Sequence, residues 1–79
     1  MEKSIYTTRY TTLCMRMREA RRAAGLTQVQ VAKQLERPQS FVAKYEAGER
    51  RLDVIEFLDV AKVIKLDAIE LIANLQKIA

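Results

Sequence analysis

Residues 27–46 of this chain read TQVQVAKQLERPQSFVAKYE, and this stretch constrains the fold more than any other. Thr27 can cap a helix, and Gln30 three positions on completes a Thr-x-x-Gln capping box. Val31, Ala32 and Leu35 then share one face, which predicts a first helix from Gln28 to Leu35. Glu36-Arg37-Pro38 breaks it. Proline has no backbone N–H, so it is tolerated in the first turn of a helix and disfavoured inside one. A second helix is expected from about Pro38 or Gln39 to Glu46. Two short helices with a tight turn centred on Glu36 and Arg37 make a helix-turn-helix unit.

Wheel arithmetic at ~100° per residue sorts the second helix of this unit. Val42, Tyr45 and Glu46 fall on one side, with Tyr45 read as core. Ser40, Ala43, Lys44 and Ala47 fall roughly opposite, and Gln39 can project off the helix end. Small residues permit close approach to a groove floor. Gln and Ser can hydrogen-bond base edges, and Lys can reach guanine or phosphate. A unit of this size places one exposed helix face in the major groove of DNA, so sequence-specific DNA binding is the leading expectation. Phe41 has two readings: it packs on the first helix of the chain, or it meets a thymine methyl.

The remaining chain supplies three more helices. Residues up to about Ile5 read as an arm, and a helix is expected from Thr7 or Thr8. Tyr10, Leu13, Cys14, Met17, Ala20, Arg21 and Ala24 recur at spacings of three and four. Gly25 ends that stripe, since glycine readily takes the left-handed conformation after a helix. Gly48 closes the helix-turn-helix unit, and residues 49–52 form a connector. Asp53 with Glu56 caps a fourth helix to about Ile64. It is so apolar that it is expected to be covered on more than one side. Lys65 and Leu66 form a turn. Asp67 with Glu70 caps a fifth helix to about Gln76. The broad apolar bands of these two helices either complete the monomer core or, through Phe57, Leu58, Leu71, Leu75 and Ile78, form a twofold interface.

Composition narrows the class. At 79 residues the chain is one domain with a modest core. Its 49% hydrophobic content is too high for a disordered tail, and scarce glycine and proline favour an all-α bundle. Cys14 cannot form an internal disulfide and is read as a packing residue. With no His present, neither a metal site nor a cofactor is expected. Residues 1–12 lack a signal-peptide core, and no run approaches the ~18–20 apolar residues of a membrane span. A soluble, reducing, cytoplasmic setting is expected, without membrane attachment. The net charge of +4 and pI near 9.5 lean weakly towards polyanions. Arg16, Arg18 and Arg22 read as a solvated face, while Arg50 and Arg51 follow the unit where a loop nears phosphates. No paired carboxylates or activated nucleophile can be assembled, so the chain is not read as an enzyme.

The run Arg21-x-x-x-Gly25-Leu26-Thr27-Gln28-x-x-Val31-Ala32-x-x-Leu35, followed by Gln39-Ser40-Phe41-Val42-x-x-x-Glu46-x-Gly48-x-Arg50, resembles the lambda-repressor/Cro-like family, also called XRE-type helix-turn-helix proteins. The resemblance runs from roughly Leu13 to Leu71. It implies five α-helices, with the second and third forming the DNA-binding unit. Residues 1–11 then form an arm or a helix extension, and 12–79 the DNA-binding domain. By resemblance, Gln28 contacts phosphate and braces the recognition helix. Gln39, Ser40 and Lys44 reach bases, with Ala43 between them on the same surface. Arg21 and Glu46 form a structural ion pair. Arg37, Arg50 and Arg51 complete the candidate phosphate contacts. Many members carry Gly-Val-Ser where this chain has Glu36-Arg37-Pro38.

These readings converge on a transcriptional regulator, a repressor that binds double-stranded DNA as a homodimer on a palindromic operator. The alternative is an antitoxin or other protein-interaction module that holds a protein partner with the C-terminal helices, DNA binding being secondary.

Overall fold

A computed structural model describes residues 8–78. The arm expected before Thr8 lies outside the described residues. The order is α1 (Thr8–Ala23), α2 (Gln28–Leu35), α3 (Gln39–Glu46), α4 (Val54–Val63) and α5 (Ala68–Gln76). No strand occurs among the described residues. The fold is the expected all-α arrangement of five helices. Residues 8–11 belong to α1, so the stretch just ahead of the DNA-binding domain extends a helix.

Helices α2, α4 and α5 start where a side chain satisfies free backbone N–H groups. Thr27 accepts from the Gln30 N–H at 3.1 Å, and Gln30 Oε1 accepts from the Thr27 N–H at 2.8 Å. Asp53 and Glu56 reciprocate in the same way at α4, and Asp67 caps Glu70 at α5. Pro38 caps α3 without a side-chain bond. Its locked φ and missing N–H suit the turn entry, so α3 starts at Gln39.

The helix ends share one device. After α1, the Gly25 N–H donates to the Arg22 carbonyl and the Leu26 N–H to the Arg21 carbonyl. This paired closure needs one residue in the left-handed region. The same pattern follows α2, α3 and α4, and the left-handed residues are Gly25, Glu36, Gly48 and Lys65. Only two of the four are glycines. At Glu36, φ 58 and ψ 42 place an ordinary side chain in a region disfavoured for L-residues. The turn that departs from the common Gly-Val-Ser pattern therefore keeps its geometry at the cost of local strain.

The core runs through all five helices. Met17, Val31, Val42, Tyr45, Val60, Ile64 and Leu71 are fully buried. α3 packs on α1 and α2, α2 on α4, and α1 on α5. Leu26 and Leu66, just past helix ends, fold back onto the core and lock the turns. Arg9 Nη2 donates to the Ile78 carbonyl at 2.6 Å, tying the start of α1 to the end of the chain. Cys14 is buried, and burial pushes its thiol pKa up, consistent with a packing role.

α4 differs from expectation. It buries Phe57, Val60 and Ala61, but Val54, Ile55 and Leu58 stay exposed. On α5 only Leu71 is buried, while Ile69 is 83% exposed and Ile72 also faces outward. A core this small has room for one face of each helix, so the surplus apolar residues remain outside it. No helix among the described residues is long and apolar enough to cross a membrane.

The strained turn gives a direct test. Glu36→Gly is expected to raise stability by about 1 kcal/mol, by relieving the left-handed conformation. That corresponds to a gain of roughly 4–8 °C in Tm for a domain this size. Thermal unfolding followed by circular dichroism reads it, and a loss of stability would show that Glu36 is held by something other than turn geometry.

Candidate nucleic-acid interface

The candidate interface is built outward from one buried carboxylate. Val42, Tyr45 and Glu46 share the inward side of α3, and all three are buried. Glu46 would be a costly residue to bury alone. It accepts from Arg21 Nε at 2.7 Å and from Arg21 Nη2 at 3.1 Å, a two-point fork. The side chains are 10% and 2% exposed for Arg21 and Glu46. A third Arg21 donor, Nη1, reaches the Leu26 carbonyl at 2.9 Å. Hydrogen bonding to Glu46 raises the Arg21 pKa, so the guanidinium stays charged. Arg21 thus holds α1, the α1–α2 turn and α3 in one arrangement.

Gln28 carries this order to the surface. Its Nε2 donates to Glu46 Oε1 at 3.0 Å, and its Oε1 accepts from Gln39 Nε2 at 3.4 Å. A polar chain therefore runs from the buried pair, through the first residue of α2, to the first residue of α3. Beyond it, Ser40 and Lys44 are exposed and Ala43 is half-buried. The Ser40 and Lys44 side chains bond to no other described residue. The face offered to a groove is small and polar, with a single cation at its far end.

Phe41 is buried, so it packs instead of facing a groove, and the groups around its ring are Tyr45, Arg37 and Arg50, none of them on α1. Its ring meets Tyr45 edge-on, with centroids 5.5 Å apart. The Tyr45 hydroxyl is buried without a hydrogen-bond partner, so the core uses its ring. Two guanidiniums lie against the Phe41 ring, Arg37 at 4.4 Å and Arg50 at 4.8 Å from its centroid. Both also bind Glu56. Arg50 Nη1 and Nη2 donate to its two oxygens at 3.0 and 2.9 Å, and Arg37 Nη2 donates at 3.2 Å. Arg50, then the Asp53 N–H and Arg37, hold the Glu56 carboxyl down at about 2. Arg51 lies 4.3 Å over the Tyr10 ring, and the Tyr10 hydroxyl donates to the Arg50 carbonyl at 3.0 Å. The loop after α3 is thus pinned from both sides.

Sequence reasoning missed two residues here. Glu56 was legible as a cap but not as the partner of two arginines, because Arg37 lies 19 positions away. Tyr10 read only as core, although its hydroxyl anchors a loop 40 positions on. Neither role has a local signal.

A family model described as a helix-turn-helix domain matches residues 13–75. Among solved structures, the chain is similar to an XRE-family like protein from Pseudomonas syringae pv. tomato str. DC3000. The two are 49% identical, the match covers 92% of this chain and 89% of that one, and the TM-score is 0.84. This chain belongs to the XRE-type helix-turn-helix family. No curated protein matches it.

Membership in the XRE-type family places the protein among DNA-binding regulators. The resemblance drawn from residues 21–50 therefore stands. Of the candidate interface residues, Gln28 at the start of α2 bonds to Gln39 at the start of α3, and Ser40, Ala43 and Lys44 follow along α3. Arg37 precedes α3, and Arg50 and Arg51 follow it.

The twofold-interface candidates differ in exposure. Leu71 is 0% exposed, so it belongs to the monomer core and has no surface to offer a second copy, which corrects the expectation for that residue. Phe57 is mostly buried in the same core and reaches the surface only at the wall of an apolar groove. Leu58 is exposed, while Leu75 and Ile78 are half-buried. Val54, Ile55, Ile69 and Ile72 on the same two helices are exposed as well, as are Met15 and Val29 elsewhere. Val54 and Ile72 line one apolar groove with Leu13, Leu52, Phe57 and Leu75.

The buried pair carries a clear expectation. Glu46→Ala leaves the Arg21 guanidinium buried and uncompensated, and is expected to cost about 3–5 kcal/mol. Replacing both partners, as in Arg21→Met with Glu46→Leu, is expected to cost much less than the single change. Urea unfolding of the two variants beside the parent measures the difference.

Proposed function

We propose that this protein is a transcriptional repressor that reads a palindromic operator as a homodimer. The observation carrying the proposal is the polar chain from Arg21 and Glu46 through Gln28 to Gln39. It fixes the first residue of the recognition helix against the buried frame, so base-reading groups are aimed before DNA arrives. In this reading Gln39, Ser40 and Lys44 meet base edges, and Ala43 lets the helix approach the groove floor. Gln28, Arg37, Arg50 and Arg51 meet phosphates and supply the salt-sensitive share of affinity. Two copies would present their α3 helices to half-sites about one helical turn, ~34 Å, apart.

The exposed apolar side chains of α4 and α5 support the homodimer. Val54, Ile55, Leu58, Ile69 and Ile72 leave more apolar surface in water than so small a domain needs. The same α5 residues also favour a second reading, in which this face holds a different protein, as in an antitoxin. Sedimentation separates the two. Parent protein is expected to sediment as a dimer and Ile72→Arg as a folded monomer with weaker operator binding. A monomeric parent that binds operator unchanged would favour the second reading.

The DNA assignment is tested by selecting bound sequences from a random library and measuring variants on the winner. Gln39→Ala is expected to relax base preference, losing about 1–3 kcal/mol of discrimination at one position. Arg51→Ala is expected to weaken all sequences alike. Equal effects of both changes on selected and random DNA would refute the assignment.

A further inference from the structure

We propose that Glu56 is a positioning residue for DNA-backbone binding: its carboxylate holds Arg50 and Arg37 together against Phe41, so that both guanidiniums meet phosphate as one preset unit. The proposal rests on the reading of Arg37 and Arg50 as phosphate contacts.

The geometry of the donors carries it. Arginine has five N–H donors arranged in two forks. In Arg50 the terminal fork is fully engaged. Nη1 donates to the Arg51 carbonyl at 2.9 Å and to Glu56 at 3.0 Å, and Nη2 donates to Glu56 at 2.9 Å. The side fork, Nε and the second Nη2 proton, bonds to no other described residue. That fork alone can bind a phosphate at two points. Arg37 engages Glu56 through Nη2 alone, leaving Nε and Nη1 available. The Glu56 side chain is 15% exposed against 41% for Arg37 and 39% for Arg50, so the arginines stand in front of the carboxylate. The trio keeps a net charge of +1, and both guanidiniums lie over the Phe41 ring of α3, 4.4 and 4.8 Å from its centroid.

The arrangement also spans the right elements. Arg37 enters α3, Arg50 leaves it, and Glu56 sits in the first turn of α4. A carboxylate there joins the two ends of the recognition helix across the loop. Long arginine side chains lose rotamer freedom when they bind. Here that freedom is already restricted in the unbound protein, so binding has less of it to remove.

Glu56→Gln isolates this role from the helix cap, because Gln at the third position of a helix still completes a capping box. The full chain is titrated into a short fluorescently labelled duplex of mixed sequence at several salt concentrations. Glu56→Gln is expected to weaken binding roughly fivefold at fixed salt, with the salt slope unchanged because both arginines keep their charge. Arg50→Ala should lower the slope by about 0.9. Glu56→Gln should add no further loss once Arg37 and Arg50 are both alanine. Arg50→Lys, which keeps the charge but loses the fork, should match Glu56→Gln and serves if that variant folds poorly. Unchanged or tighter binding of Glu56→Gln, alongside weakening by Arg50→Ala, would overturn the proposal and mark the carboxylate as a competitor of phosphate. If neither Arg37→Ala nor Arg50→Ala changes binding, the phosphate reading beneath the proposal falls, and the proposal with it.

Discussion

The Glu46 carboxylate is the point on which this structure turns. It is buried on the recognition helix and accepts from Arg21 on α1 and Gln28 on α2. Three helices are therefore referenced to one group of atoms. Such a pair need not stabilise the fold relative to apolar residues of the same size. Its value lies in direction. A hydrophobic contact holds helices together without fixing their rotation, whereas a forked hydrogen bond sets angle and register at once. In the proposed reading, where α3 presents particular side chains to a groove, that second kind of constraint is what the function needs.

Around this pair the recognition surface divides into two kinds of residue. Ser40 and Lys44 are exposed and unattached to other described side chains, as suits groups that would exchange water for base edges. The arginines before and after α3 are held instead, on Phe41, Glu56 and Tyr10. Aromatic faces and a carboxylate orient those charges without removing them from the surface. The helix-turn-helix unit is thus less self-contained than its 20 residues suggest. Its pose depends on Arg21 and Tyr10 before it and on Glu56 after it.

Much of this was legible in the chain, for reasons that differ by residue. Caps at Thr27, Asp53 and Asp67 act over three positions, so the helix starts could be read locally. Gly25 and Gly48 marked helix ends because glycine tolerates the left-handed region. Glu36 and Lys65 occupy that same conformation with no compositional sign, and there the turn is dictated by packing of the residues around it. The wheel placed Val42, Tyr45 and Glu46 inward correctly, since they lie on a single face. It could not assign Phe57 and Leu71 to the monomer core, because an apolar band wider than the core looks alike on every side. The shared binding of Arg37 and Arg50 by Glu56 was invisible, since it joins three separate segments.

In the proposed reading, α3, aimed by the buried pair, is the surface that meets DNA. Backbone amide chemical shifts, followed by NMR as a duplex carrying a selected operator is titrated in, test it most directly. The account predicts that the largest changes fall at Gln28, Gln39, Ser40, Ala43 and Lys44 and in the loop at Arg50 and Arg51, with Ile69 and Ile72 little affected beyond any effect of dimerisation. Changes centred on α4 and α5, with α3 unmoved, would contradict it.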